Sequence, residues 1–157
     1  MSVEWPLLGP PHAVDDFIRP MPWGSSNYTV IAAPPSLVEA AEALGTRRVA
    51  GELEGVEVNV ALNRAPVFSG VFIWAGASLL RRLRLEVGDP VTGFLSPIDP
   101  DEVPVAGDLA EALADAGRRD VWDGLPPTVR RRHLVPIDSA ATEKTRAKRV
   151  RALVEGL

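Results

Sequence analysis

Three side chains of this sequence, Tyr28, Glu52 and Asp89, could move protons between a substrate and the protein. Tyr28 opens a β-forming stretch, Glu52 lies in an alternating stretch, and Asp89 follows a glycine. Such groups act as general acids or bases when they are positioned against a substrate, and burial can raise the pKa of a carboxylate towards neutrality. They are the candidate catalytic residues. Asp89 has a second interpretation, because Gly-Asp pairs are common in turns, where the carboxylate accepts backbone N–H groups.

The sequence disfavours nucleophilic catalysis, metal binding and nucleotide cofactors. It has no cysteine, no Gly-x-Ser-x-Gly motif and only two histidines, His12 and His133, which lie far apart. Two histidines do not make a three-histidine zinc site, and the segment 99–102 (Asp-Pro-Asp-Glu) is interpreted as a proline-bounded turn. His133 follows three arginines and is assigned to the surface of a helix. Since no glycine-rich phosphate loop is present either, we expect neither a metal nor a cofactor.

Four aromatic side chains are the candidate ligand-binding residues. They come from the N-terminal segment, from an apolar stretch in the middle of the chain and from its C-terminal part. A small β-barrel can hold one ligand among such side chains, and we expect a small hydrophobic molecule. The alternative is that they seal the core where these segments meet, which is the commoner role of aromatic residues. The four residues are Trp23, Phe72, Trp74 and Trp122.

Basic side chains are concentrated at the C-terminal end of the chain. The net charge is −4, but residues 118–157 carry an excess of arginine and lysine. Arg146 and Arg149 are therefore the candidate contacts for a protein partner, whereas the acidic total disfavours a nucleic-acid partner. Arg146 and Arg149 are also candidates for pairing with acidic side chains of the protein itself. These are Glu52, Glu54 and Glu57.

The general class of the protein follows from its length and from its apolar segments. A chain of 157 residues can bury a hydrophobic core without disulfides or metal. Its N-terminus lacks the basic and apolar regions of an export signal, and no run approaches the roughly 18 apolar residues that span a bilayer. We expect a cytoplasmic protein with no membrane partner, and leave a homo-oligomer open.

The N-terminal part of the sequence predicts an arm followed by one strand and one helix. Residues 1–24 contain five prolines, so we expect an arm with little regular structure, pinned to the body by its aromatic side chains. Tyr28–Ala32 is rich in β-formers and predicts the first strand. Ser36–Gly45 has the capping pattern and the apolar spacing of a short amphipathic helix.

From Arg48 onwards the period of the apolar residues changes from that of a helix to that of a strand. The alternation predicts a hairpin that turns at Gly55. Val67–Ala75 is apolar on both faces and predicts a strand bent at Gly70, and Val91–Ser96 predicts a further strand. Because closure removes exposed sheet edges, these strands predict a small closed β-barrel with a short inserted helix.

The sequence after Pro104 predicts helices that pack on this barrel. The last helix begins near Thr142 and carries an apolar stripe. The predicted fold is therefore mainly β (α+β). It consists of an arm at 1–24, a barrel at 25–103 and a helical extension at 104–157, all in one globular unit.

Three motifs resemble a known family. The Val-x-Gly-x-x-x-Gly hairpin at Val49–Gly55, the Leu-x-Leu-x-x-Gly-Asp-x-Val motif at Leu83–Val91 and the ending at Ile137–Val150 are similar to those of the YdeI/OmpD-associated, or bacteriocin-protection, proteins. The sequence departs from the family pattern at Ala141, where that family has lysine, and at Lys144, where it has glutamate. The resemblance implies a small closed β-barrel with a helical C-terminal extension, no established biochemical activity and a connection to stress or resistance.

Two functions are compatible with these observations. The first is a non-catalytic binding protein for a small hydrophobic ligand or a protein partner. The alternative is a cofactor-independent lyase, isomerase or cyclase that acts on a hydrophobic metabolite held in the barrel.

Overall fold

The computed structural model describes residues 4–157. These residues divide into two compact units, one spanning Trp5–Pro100 and one containing Asp101–Leu157. The first unit holds seven strands and two helices, and the second holds four helices. In chain order the elements are β1 (His12–Phe17), β2 (Arg19–Trp23), β3 (Ser26–Ala32), α1 (Pro35–Ala43), β4 (Arg48–Leu53), β5 (Val56–Ala61), β6 (Phe72–Trp74), α2 (Ala77–Leu83), β7 (Pro90–Pro97), α3 (Gly107–Asp115), α4 (Arg119–Asp123), α5 (Pro127–Asp138) and α6 (Glu143–Glu155).

The strands form two open antiparallel sheets, so the predicted closed barrel is wrong. One sheet has the order β1-β7-β4-β5 and the other has the order β2-β3-β6. The predicted strand at Val67–Ala75 is reduced to β6, which has only three residues and pairs with β3. Pro66, Ser69 and Gly70 interrupt the apolar run before β6, and these residue types favour turns over strands.

The N-terminal segment forms two strands, so the predicted arm with little regular structure is wrong over these residues. β1 pairs with β7, and β2 pairs with β3 along its whole length. Pro20 and Pro22 are tolerated because β2 is an edge strand of its sheet, where a missing N–H need not interrupt the pairing. Ile18 alone separates the two strands, so the chain passes from one sheet to the other at this residue.

The predicted hairpin and the predicted strand around Val91–Ser96 are confirmed. β4 and β5 pair from Arg48 to Leu53, and Glu54 and Gly55 connect them with φ angles of 50° and 74°. Positive φ at both central residues is the geometry of a type I′ turn, which matches the twist of paired strands. The core of this unit lies beneath the strands and includes Val49, Leu53 and Leu95.

The C-terminal unit is helical, as predicted, and has a core of its own. α6 begins at Thr142, whose hydroxyl accepts a hydrogen bond from the Thr145 backbone N–H at 3.2 Å. The capping pattern predicted at Ser36 does not form, since α1 has no side-chain cap. No helix within residues 4–157 is long and apolar enough to cross a membrane. The buried residues of this core are Leu109, Leu113, Trp122, Ile137, Val150 and Val154.

Candidate functional site: an aromatic strip on the three-stranded sheet

Three large aromatic side chains lie next to one another on the sheet β2-β3-β6. The registers pair Met21 with Tyr28 and Val30 with Trp74. Since alternate residues of a strand point to the same face, Trp23, Tyr28 and Trp74 share one face of the sheet. The ring centroids of Trp23 and Tyr28 are 6.3 Å apart, and those of Tyr28 and Trp74 are 5.3 Å apart. We call these three residues the aromatic strip.

The strip is partly exposed and lies beside a buried cluster on the same face of the sheet. Its members keep 40% (Trp23), 41% (Tyr28) and 39% (Trp74) of their surface in solvent. The Trp74 ring meets the buried Phe72 ring edge-on, with centroids 4.8 Å apart. Phe72 in turn packs with Met21, Val30, Ala65 and Phe68. The strip is therefore an apolar surface that continues into a buried cluster on the same sheet face.

Three of the four predicted ligand-binding residues come together in this region. Trp23 and Trp74 belong to the strip, and Phe72 lies beside it on the same sheet face with no exposed surface. Trp122 belongs to the other unit, where it is fully buried in the helical core, and its ring centroid is 6.3 Å from that of His133. For Phe72 and Trp122 the structure gives the core role that the sequence left as the alternative.

The three predicted catalytic residues lie on different elements. Tyr28 belongs to the aromatic strip, whereas Glu52 lies on β4 of the other sheet, opposite Glu57 and Phe94. Asp89 lies in the turn before β7, where its carboxylate accepts the Glu86 backbone N–H at 2.8 Å. This is the bond expected of a turn aspartate. Each of the three has its own neighbours.

Arg146 and Arg149 lie among the C-terminal helices and bind groups of their own unit. Arg146 donates to Asp108 on α3, with a shortest distance of 2.6 Å, and to Asp138 on α5 at 3.3 Å. These are not the predicted partners Glu52, Glu54 and Glu57. Hydrogen bonds from Arg146 hold the pKa of Asp108 below its ordinary value, although burial acts in the opposite direction. Arg149 donates to the carbonyl oxygen of Pro136 at 2.5 Å.

An ion pair between the buried Asp16 and the exposed Arg19 lies where the chain passes between the two sheets. Asp16 keeps only 9% of its surface and accepts hydrogen bonds from the Arg19 guanidinium and, at 2.8 Å, from the Ala32 backbone N–H. Burial raises the pKa of Asp16, but the bonds from Arg19 and Ala32 outweigh it, and the resulting pKa is lower than that of an ordinary aspartate. The sequence carries no signal for this pair, since Asp16 lies in a segment expected to be irregular.

A pocket of about 380 Å³ lies between α1, the segment that connects α1 to β4 and the segment that connects β5 to β6. Val38, Leu62 and Val71 supply its aliphatic lining. Its polar lining includes Arg47 and Arg64. Sequence reasoning did not find this pocket, because its residues come from three separate segments. We call it the α1 pocket.

Comparison with known proteins gives a match over the C-terminal helices. The model of the family described as "Bacteriocin-protection, YdeI or OmpD-Associated" matches residues 102–157. The predicted resemblance is confirmed over these residues, whereas the motifs at Val49–Gly55 and Leu83–Val91 lie outside the matched range. No curated protein and no solved structure matches the chain.

Proposed function

We propose that this protein is a binding protein and that the aromatic strip is the surface through which it holds a protein partner. The observation that carries the proposal is the exposure of Trp23, Tyr28 and Trp74, each at about 40%, at adjacent positions of one sheet face. Tryptophan and tyrosine are enriched among the residues that dominate binding energy at protein interfaces. Adjacent exposed aromatic residues on a soluble fold are a common mark of an interaction site.

The packing of the strip against neighbouring side chains makes it suited to binding without rearrangement. Trp74 packs against the buried Phe72, and Tyr28 packs between Trp23 and Trp74. Because each ring is already held by its neighbours, a partner would lose little side-chain entropy in ordering them. Binding is favoured over catalysis, because the candidate proton donors and acceptors lie on separate elements and only Tyr28 belongs to the strip.

The description of the matched family indicates a physiological role for the proposed binding. Its description names bacteriocin protection, and we extend a role in stress or resistance to this chain. On this proposal the strip of the N-terminal unit would recruit the partner on which that role depends. A strain that lacks this protein should be more sensitive to a bacteriocin. A variant that carries both Trp23→Ala and Trp74→Ala should fail to restore the resistance of that strain.

A photo-cross-linking experiment tests the strip directly. Benzoylphenylalanine replaces Tyr28 in one variant and Phe94 in another, and both variants are irradiated in cells of the natural host. Phe94 is a matched control, because it is an aromatic residue of the other sheet with 59% of its surface exposed. We expect a discrete protein adduct from position 28 and none of the same mass from position 94.

A second variant separates partner binding from chance proximity. Adding Trp74→Ala to the position 28 cross-linker should reduce the adduct by about tenfold or more, as loss of an interface hot spot does. Mass spectrometry identifies the adduct, and a second copy of this chain would indicate a homo-oligomer in place of a different partner. Identical adducts from positions 28 and 94, or no adduct from position 28, would contradict the proposal.

A further inference from the structure

We propose that the α1 pocket binds a small organic carboxylate with a compact aliphatic body. The pocket is separate from the aromatic strip, so this inference does not depend on the proposed partner surface. Its volume of about 380 Å³ lies at the lower end of the range of pockets that enclose small molecules. Val38, Leu62 and Val71 would contact the aliphatic part of the ligand.

The position of Arg47 is fixed before any ligand arrives. Its Nε and Nη2 atoms donate to the Leu62 carbonyl oxygen at 3.1 and 3.0 Å, and Nη2 also donates to Asn63 Oδ1 at 3.2 Å. A guanidinium group has five N–H donors in a fixed plane, and the two on Nη1 take no part in these bonds. Because Arg47 lines the pocket, an oriented cationic donor is available to a carboxylate there.

The charges that line the pocket favour an anion. Two arginines, Arg47 and Arg64, are opposed by one carboxylate, Glu42, so these side chains have a net charge of about +1. Arg64 donates to Glu42 at 2.8 Å, but both side chains are nearly two-thirds exposed. Such a surface ion pair contributes little stability, and a ligand carboxylate can replace Glu42 on Arg64 at little cost.

The proposed ligand has a charged head group and an aliphatic body, and the affinities of three probes test the role of the charge. The probes are hexanoate, hexanol and hexylamine, which have six carbon atoms each and differ in the charge of the head group. Binding is followed by amide chemical shifts in two-dimensional NMR, which also locate the bound probe. We expect hexanoate to shift amides of α1 and of residues 61–71, and to bind at least about tenfold more tightly than hexanol, the effect of one charge-assisted contact.

Three variants separate the roles of the charges. Arg47→Gln should weaken hexanoate binding by about tenfold, because the oriented donor is lost. Glu42→Gln should strengthen it several-fold, since the competing carboxylate is removed from Arg64. Glu42 is exposed on α1, so this variant keeps the test decisive even if Arg47→Gln disturbs the fold. Arg81→Gln, an exposed arginine on α2, is the matched control and should leave binding unchanged.

Three results would overturn the proposal. The first is equal affinity for hexanoate and hexanol, which would leave the arginines without a role in recognition. The second is a set of shifted amides that excludes α1 and residues 61–71. The third is weaker hexanoate binding by Glu42→Gln, because removing a competing negative charge cannot weaken an anion site of this kind.

Discussion

Two glycines determine how closely the central strands β4 and β7 approach each other. A Cβ atom at Gly93 would overlap the carbonyl oxygen of Glu52, and one at Gly51 would overlap the carbonyl oxygen of Phe94. Both contacts are with backbone atoms of the neighbouring strand, so no side chain can move aside to relieve them. The glycine of the Val-x-Gly motif is therefore required by a close approach of strands.

Replacing Gly93 by alanine should destabilise the N-terminal unit by about 3 kcal/mol, the upper end of the usual cost of overpacking, because two paired strands must separate. Chemical denaturation followed by circular dichroism measures this free energy. Gly76→Ala is the control, since a Cβ atom there meets nothing within 4 Å, and it should change the free energy of unfolding by less than about 1 kcal/mol. Equal losses for the two variants would mean that the close approach is not the cause.

The ion pair of Asp16 and Arg19 should make the stability of the folded protein depend on pH in the acidic range. The pKa of Asp16 is lower in the folded protein than the ordinary value of 3.8, so on acidification the unfolded state takes up the proton first. The stabilisation is fully present above about pH 4 and is lost as the pH falls through the lowered pKa. Asp16→Asn should destabilise the protein by about 1–3 kcal/mol at pH 7, and the difference from the unmodified protein should shrink below pH 4.

Denaturation curves at intervals from pH 7 to pH 2 measure this dependence. Asp15→Asn is the neighbouring control, because Asp15 is exposed on the same strand, and it should cost less than about 0.5 kcal/mol at any pH. An Asp16→Asn variant whose deficit stays constant down to pH 2 would show that its effect comes from packing and not from the charge.

At the scale of the elements, the sequence predicted local structure well and long-range pairing poorly. The β4-β5 hairpin was predictable because the apolar alternation and the turn at Gly55 lie within one short segment. β1 and β2 were missed because the prolines of 1–24 outweighed their alternation, and only knowledge of the edge position of β2 makes Pro20 and Pro22 acceptable. The prediction of a closed barrel was wrong for a related reason. Pairing between distant strands leaves no pattern in the local sequence at Val67–Ala75.

Arg146 connects three helices of the C-terminal unit. From α6 it donates to Asp108 on α3 and to Asp138 on α5. Its side chain is only 22% exposed, so solvent screens these bonds less than it screens those of a surface pair. Arg146→Ala should therefore lower the free energy of unfolding by about 1.5–3 kcal/mol, the range for hydrogen bonds to charged groups. The substitution would then affect the fold itself and not only the binding of a partner.

The helical circular dichroism signal during urea denaturation measures this loss. Arg151→Ala is the control on the same helix, because Arg151 is exposed, and it should cost less than about 0.5 kcal/mol. An Arg146→Ala variant as stable as Arg151→Ala would refute the bracing role and return Arg146 to the residues available to a partner.

At the scale of the whole molecule, part of the candidate site was predictable and part was not. Trp23 and Trp74 were predictable as candidates because a tryptophan side chain contributes a large apolar contact area, whether it lies in a core or at an interface. Their adjacency depends on β2 and β6 flanking β3, which no pattern in the sequence fixes. The α1 pocket was beyond sequence reasoning altogether, because Arg47 and Arg64 are ordinary surface residues until the fold brings them to one cavity.

The two units have separate hydrophobic cores, and this separation should be visible in their dynamics. Leu95 is fully buried in the core of the first unit and Leu113 in that of the second, and each core draws on residues of one unit only. Replacing either leucine by alanine should cost about 2–5 kcal/mol of local stability. Since hydrogen exchange reports opening of each cooperative unit, Leu113→Ala should speed amide exchange in α3–α6 by tenfold or more, with less than about a twofold change in β4 and β7.

Leu95→Ala should give the reverse pattern, and the two variants act as controls for each other. Exchange that rises equally in both units for both variants would mean that the chain opens as one cooperative body in spite of its two cores.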